Sequence, residues 1–179
     1  MVLTEDKPLK DGEILELYAT GVRDFTGYRL YIGGELNRIT MTPDLSGVNF
    51  SGLSLNESYV EGINLSGANL SGTRLEAAHL IRGNLSGAYL SGTSLFQAEL
   101  SGVNLTGAVL DNANLRSAEI SGCDLTNASL VEANVERALI NSCNLTNANL
   151  TGVNIDDTLN FCSNVFQNTT MPDGSIRSD

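Results

Sequence analysis

Apolar side chains recur at every fifth residue from Leu45 to Val165, and this spacing excludes the two standard secondary structures. Of the 25 multiples of five in that stretch, 24 are apolar; Asn160 is the exception, and at 41% hydrophobic content about ten would fall there by chance. We call this position the centre. Two residues before it, 19 of the 25 side chains are Ala, Gly, Ser, Thr or Cys. The residue just before the centre is usually Asn, Asp or another polar residue. Ser or Thr often follows the centre, and then Gly or Asn.

On a helix, a step of five residues turns the side chain about 140° round the axis, so the centres would form no stripe. On a straight strand, five residues reverse the face, and successive centres would alternate sides. The pattern becomes consistent if the chain bends by about a right angle after each five. The centre and the residue two before it then share the inner face, because strand residues two apart point the same way. Four such bends close a square coil of 20 residues, which places Leu45 beneath Leu65, Leu85, Leu105, Leu125 and Leu145. The bend needs residues that tolerate positive φ, as the third position of a type II turn requires. Gly or Asn stands there at Gly47, Gly67, Gly87, Gly107, Asn127 and Asn147. The fold expected is an all-β solenoid whose coils stack through parallel main-chain hydrogen bonds.

Ala-Asn-Leu-Ser-Gly at 68–72 and Ala-Asn-Leu-Thr-Gly at 148–152 carry the motif A-(D/N)-L-x-x. The chain resembles the pentapeptide-repeat family on these residues, strongly over 43–167. The resemblance implies a right-handed quadrilateral parallel β-helix, here of about seven coils by length. The lead-in from Glu13 to Phe25 and the ending Met171-Pro-Asp-Gly-Ser-Ile are similar to cyanobacterial members. Residues 1–21 divide off as a tail and a short N-terminal capping helix, with Asp11 as N-cap and Ile14, Leu15, Leu17 and Tyr18 as apolar cover. Residues 22–167 form the β-helix, irregular at 31–44 because Glu35 and Thr40 occupy centre slots, and 168–179 form a C-terminal tail. Leu159, Phe161, Val165 and Phe166 are expected to fold over the last coil, and Pro172-Asp173-Gly174 to stop it.

Net charge is −11, which argues against direct binding to nucleic-acid phosphates. No run of apolar residues is long enough to span a membrane. The stretch Met1–Lys10 lacks the apolar core of a secretory signal, so a cytoplasmic location is expected. Three Cys make no disulfide framework. Cys123 and Cys143 fall one coil apart in the inner small-residue column, and are expected to be buried free thiols; two thiols are too few ligands for a metal site. The single His, His79, stands just before a centre and points outward, with no general-base constellation around it. Neither a catalytic group nor a cofactor site emerges, and the chain reads as a non-enzyme.

Unrolling the coil separates its outer columns. One, at Asp44, Asn64, Asn84, Asn104, Asp124, Asn144 and Asn164, forms a polar ladder able to hydrogen-bond along the stack. Another strip mixes charged, aromatic and long side chains, and its members Tyr59, Arg74, Glu76, His79, Phe96, Glu99, Arg116 and Glu119 are the candidate partner-binding residues, with Phe96 and Tyr59 expected to be exposed. The expected role is a protein–protein interaction module or regulatory scaffold with an unidentified protein partner, as a monomer or an end-to-end dimer. The family resemblance also implies an alternative, a DNA mimic that occupies a type II topoisomerase. Residues 45–165 hold eleven acidic and four basic residues, yet Arg74, Arg82, Arg116 and Arg137 fall on the strip such a mimic would need.

Overall fold

The computed structural model describes residues 9–24, 30–31, 44–59, 61–154 and 163–179. Its body is built from parallel pairings between residues 20 apart, running from Asp44 with Asn64 to Ser129 with Asn149. A coil therefore holds four five-residue faces, as the spacing requires. Most faces contribute one paired residue, since the turns consume the rest.

One face illustrates all. The Asn104 N–H donates back to the Gly83 carbonyl at 2.9 Å, whereas Leu105 and Gly107 donate forward to Asp124 and Thr126 at 2.7 and 2.8 Å. The Leu105 carbonyl then accepts the Ala108 N–H at 2.9 Å, closing a four-residue turn whose third residue, Gly107, has φ of 66°. The Asn104 Oδ1 accepts the Thr106 N–H at 3.0 Å. The same contact recurs at Asn49, Asn64, Asn69, Asn84, Asn114, Asp124, Asn134, Asn144 and Asn149. Asn or Asp thus precedes the centre because its short carbonyl arm reaches the main chain of the coming corner. Lengthwise pairing of the polar ladder is confined to parts of it. Asn64 Nδ2 donates to Asp44 at 2.9 Å and Asn84 to Asn64 at 3.2 Å, while Asn144 turns to the Thr126 hydroxyl.

Corners also occur without Gly or Asn. Glu57, Ala77, Arg82, Gln97, Ser117, Glu132 and Arg137 all have φ between 53 and 59°. Turn geometry there overrides the residue's own preference, at a cost of about 1–2 kcal/mol for each side chain held in the left-handed region.

The centres fill the interior, with Leu70, Leu90 and Leu115 at 0% exposure. The small inner residues sit between them and close the hydrogen-bond account. Thr73 and Thr93 donate their hydroxyls to the carbonyls of Phe50 and Leu70, at 2.8 and 2.7 Å. Cys123 and Cys143 occupy equivalent slots as buried free thiols, donating to Leu100 and Ile120 at 2.8 and 3.0 Å. The Cys143 sulfur beside it, and then burial, push the Cys123 thiol up. In the column of Ile63, Gly83 and Val103, a bulky residue is offset by an absent side chain: a Cβ on Gly83 would lie 3.4 Å from Ile63 Cγ2.

The two ends depart from the 20-residue step. At the start, Asp24 pairs with Asn49, 25 residues on, five more than the step of the body. β1 (Leu9–Lys10) pairs in parallel with β2 (Leu30–Tyr31), and α1 (Asp11–Ala19) follows β1 directly. Ile14 of α1 is buried against the core, while Leu15, Leu17 and Tyr18 are partly buried there. The Tyr18 hydroxyl donates to the Ser46 carbonyl at 2.6 Å, taking up an acceptor of the kind that elsewhere receives a corner N–H from the preceding coil. Glu35, Thr40, Leu159, Asn160 and Phe161 lie outside the described residues.

At the other end the phase slips by one. Asn144 pairs with Val165 and Asn149 with Thr170, both 21 apart. Val165 is therefore not inward as its multiple-of-five position suggests: it is 51% exposed, and Phe166 fills the centre at 2%. For the same reason Asn164 leaves the outer ladder for an inner slot. There its Oδ1 accepts the Cys143 N–H and its Nδ2 donates to the Ile140 carbonyl, both at 2.8 Å. β3 (Glu119–Ser121) and β4 (Leu139–Asn141) pair in parallel within the body. β5 (Thr169–Thr170) and β6 (Ile176–Arg177) form an antiparallel hairpin about the turn containing Pro172, Asp173 and Gly174.

Candidate interaction surface

The columns holding the candidate residues follow from the coil. Residues just before a centre stand on the outside, so Tyr59, His79, Glu99 and Glu119 form one column, each paired in parallel with the next, and Leu139 continues it. Residues just after a centre stand at a corner: Glu76, Phe96 and Arg116 stack there, with Asn56 above and Glu136 below. Their carbonyls accept the corner N–H of the preceding coil, Ala77 to Phe96 at 2.9 Å and Gln97 to Arg116 at 3.0 Å. Arg74 sits in the neighbouring column between Ser54 and Ser94. All eight residues therefore lie on three columns around two faces.

Several of these polar groups are engaged by neighbouring side chains. His79 Nδ1 lies 2.7 Å from Glu99 Oε2, and its ring is tilted against that of Tyr59 at a centroid separation of 5.3 Å. His79 is thus a partnered, half-buried residue rather than a free surface one. Arg116 Nε approaches Glu136 at 3.4 Å, Arg137 reaches the same carboxylate at 3.7 Å, and Arg82 pairs with Glu61 at 2.9 Å. Glu76 accepts from the Ser94 hydroxyl at 3.1 Å and its N–H donates to Asn56 Oδ1 at 3.0 Å. Phe96 and Tyr59 are only partly exposed, since neighbouring coils cover the stems of side chains in a 20-residue stack. The large apolar groups with most exposure include Tyr89 at 56% and Leu139 at 43%. Both precede a centre, so the rule that turned His79 outward also marks them. Tyr89 stands between Asn69 and Val109, half a coil away from the charged strip.

Among the described residues no group of three or more His, Cys, Asp and Glu is placed to hold a metal ion, and no helix is long and apolar enough to cross a membrane. The sequence model for pentapeptide repeats matches in overlapping segments from 44–80 to 118–157. The chain belongs to the pentapeptide-repeat family. This pentapeptide-repeat protein is similar to Rfr23, a pentapeptide repeat protein from the cyanobacterium Cyanothece 51142, at 25% identity and a TM-score of 0.55, over 71% of this chain and 92% of that one. It is also similar to a pentapeptide repeat protein from Nostoc PCC 7120, at 30% identity, a TM-score of 0.41, and coverage of 66% and 84%. QnrB1, a plasmid-mediated fluoroquinolone resistance protein, is similar at 17% identity and a TM-score of 0.46, over 75% and 77% of the two chains. No curated protein matches the sequence.

Proposed function

We propose that the chain is a non-catalytic interaction module or regulatory scaffold: a right-handed rod of about seven coils, capped by α1, that presents its charged and aromatic strip to a protein partner in the cytoplasm. The observation that supports this reading is the stacking of Glu76, Phe96 and Arg116 beside Tyr59, His79, Glu99 and Glu119 on consecutive coils. A half-buried aromatic bordered by side chains already fixed in ion pairs resembles the centre of a recognition patch, because its groups lose little conformational freedom on binding. The arginine pairs weigh against the topoisomerase-mimic alternative, since Arg82 and Arg116 offset the acids beside them.

The test is affinity capture from native lysate with the unaltered chain, a Phe96→Ala, Glu99→Lys, Glu119→Lys variant, and a Tyr89→Ala control on another face. The reading requires a protein held by the unaltered chain and the control but lost from the triple variant. Identical capture by all three would remove the strip as the binding site. Absence of any effect on gyrase supercoiling at micromolar protein would remove the alternative.

A further inference from the structure

Resting on the reading of the chain as an interaction module, we infer that the corner column of Glu57, Gln97 and Arg137 is a recognition edge for a linear polypeptide segment. That segment carries a basic side chain at one end, an apolar one in the middle and an acidic one at the other. From Gly47 to Gly152, every corner places its third residue in the left-handed region, with φ between 53 and 71°. Gly suits that region best, and Asn better than most other residues. The column that starts at Gly47 holds only Gly and Asn. That of Gly52 departs from them once, at Glu132, and that of Gly62 twice, at Arg82 and Ser142. The remaining column holds neither: it reads Glu57, Ala77, Gln97, Ser117 and Arg137. Turn geometry is the same at all four corners, so it does not account for strain gathered at one. The main chain does not ask for these side chains either. The Glu57 N–H donates to the Glu76 carbonyl at 2.8 Å and the Gln97 N–H to that of Arg116 at 3.0 Å, as Gly107 does to Thr126. Glycine would serve the coil at least as well, and the long side chains of Glu57, Gln97 and Arg137 are exposed.

The chemistry of the edge selects its occupant. Coils stack about 4.8 Å apart, so Glu57 and Arg137 are about 19 Å apart along the rod, the reach of roughly six residues of extended chain. Over that length the charge changes sign. Among the described residues no cation pairs with Glu57 or Glu76, which leaves the upper two coils of the edge acidic. Phe96, partly exposed, stands in the middle beside Gln97. Beyond it Arg116 and Arg137 share the one carboxylate of Glu136, so a positive charge is left over. A segment with the opposite order of charges and an apolar side chain over Phe96 is complementary to all three parts, in one direction only.

The test is a full-length variant with Glu57→Gly, Gln97→Gly and Arg137→Gly, which leaves the net charge unchanged. Each single substitution should raise the folding equilibrium constant about two- to fivefold in urea denaturation, because it removes left-handed strain. A loss of stability would show that these side chains hold the fold, and overturns the proposal. Random dodecapeptides displayed on phage are then selected on the unaltered chain. The enriched peptides should carry Lys or Arg at one end, an apolar residue in the middle and Asp or Glu at the other, and should bind the glycine variant at least tenfold more weakly. No enrichment, another order of charges, or equal binding to the glycine variant overturns the edge. The Phe96→Ala, Glu99→Lys, Glu119→Lys variant separates the two readings. Peptides lost from it but held by the glycine variant leave the strip standing without the edge, and peptides held by both variants remove both.

Discussion

The Ile63–Gly83 pair offers a direct measure of how tightly this interior is packed. An alanine at Gly83 would bring its Cβ to 3.1 Å from the Leu80 carbonyl oxygen, 3.3 Å from Leu85 Cδ1 and 3.4 Å from Ile63 Cγ2. The first two contacts are tighter than ordinary and the third is at the limit, so the neighbours must give by a few tenths of an ångström, and overpacking of that kind costs about 1–3 kcal/mol. Gly83 is not in the left-handed region, so alanine regains roughly 0.4–1 kcal/mol by restricting the unfolded chain. The net expectation for Gly83→Ala is a loss of about 1–2 kcal/mol in equilibrium urea denaturation. Ile63→Ala alone should cost about 2–4 kcal/mol, as the Ile63 side chain is 98% buried and its removal leaves a cavity. Together the two substitutions should cost less than their sum by about 1 kcal/mol, because alanine at 63 takes away one of the three close contacts. Gly83→Ala measured as neutral or stabilising would refute the packing argument, and strict additivity would refute the coupling.

Ala77 is held at φ of 53° without a side chain that gains from it, so Ala77→Gly should raise stability by about 0.5–1 kcal/mol, checked by thermal and urea denaturation. The His79–Glu99 pair is 44% and 33% exposed, and a double-mutant cycle with His79→Ala and Glu99→Ala should give a coupling under about 1 kcal/mol. The Asp173 carboxyl is held below its ordinary 3.8 by the Ser175 hydroxyl and N–H, and that of Asp179 by Arg177. Both groups are depressed in the folded state, so their contribution is complete above the ordinary value and fades as pH falls below it. Hydrogen exchange at Thr169 and Thr170, corrected for its intrinsic pH dependence, should therefore lose protection below about pH 4 and not between pH 5 and 8. In a Cys162→Ser chain, Cys123 and Cys143 should react with a thiol reagent only on unfolding, read as two thiols released together with the loss of circular dichroism.

The period of five carried most of the architecture, because a centre residue that is wrong in one coil is wrong for both its neighbours. Leu65, Leu85 and Leu105 lie where the spacing puts them. The slip near the C-terminal end was illegible for a physical reason: Val165 and Phe166 are both apolar, and either satisfies composition and hydropathy at a centre. The main-chain pairing of Asn144 with Val165 distinguishes them, as does the burial of Phe166. The outward columns were legible from alternation along each face, which placed His79, Glu99 and Phe96 on the surface side. Pair formation was not, since long side chains choose partners among the coils above and below. That choice joined Arg116 and Arg137 to a single carboxylate, Glu136.

The 20-residue step of the body also governs how the chain acquires its shape. Within the body each new pairing closes a segment of the same modest length, so these contacts do not require distant parts of the polypeptide to meet. Once two turns have formed, winding can advance in either direction, each turn templating the next as a zipper does. Such a chain should assemble faster than other all-β proteins of its length, whose strands meet across much longer separations.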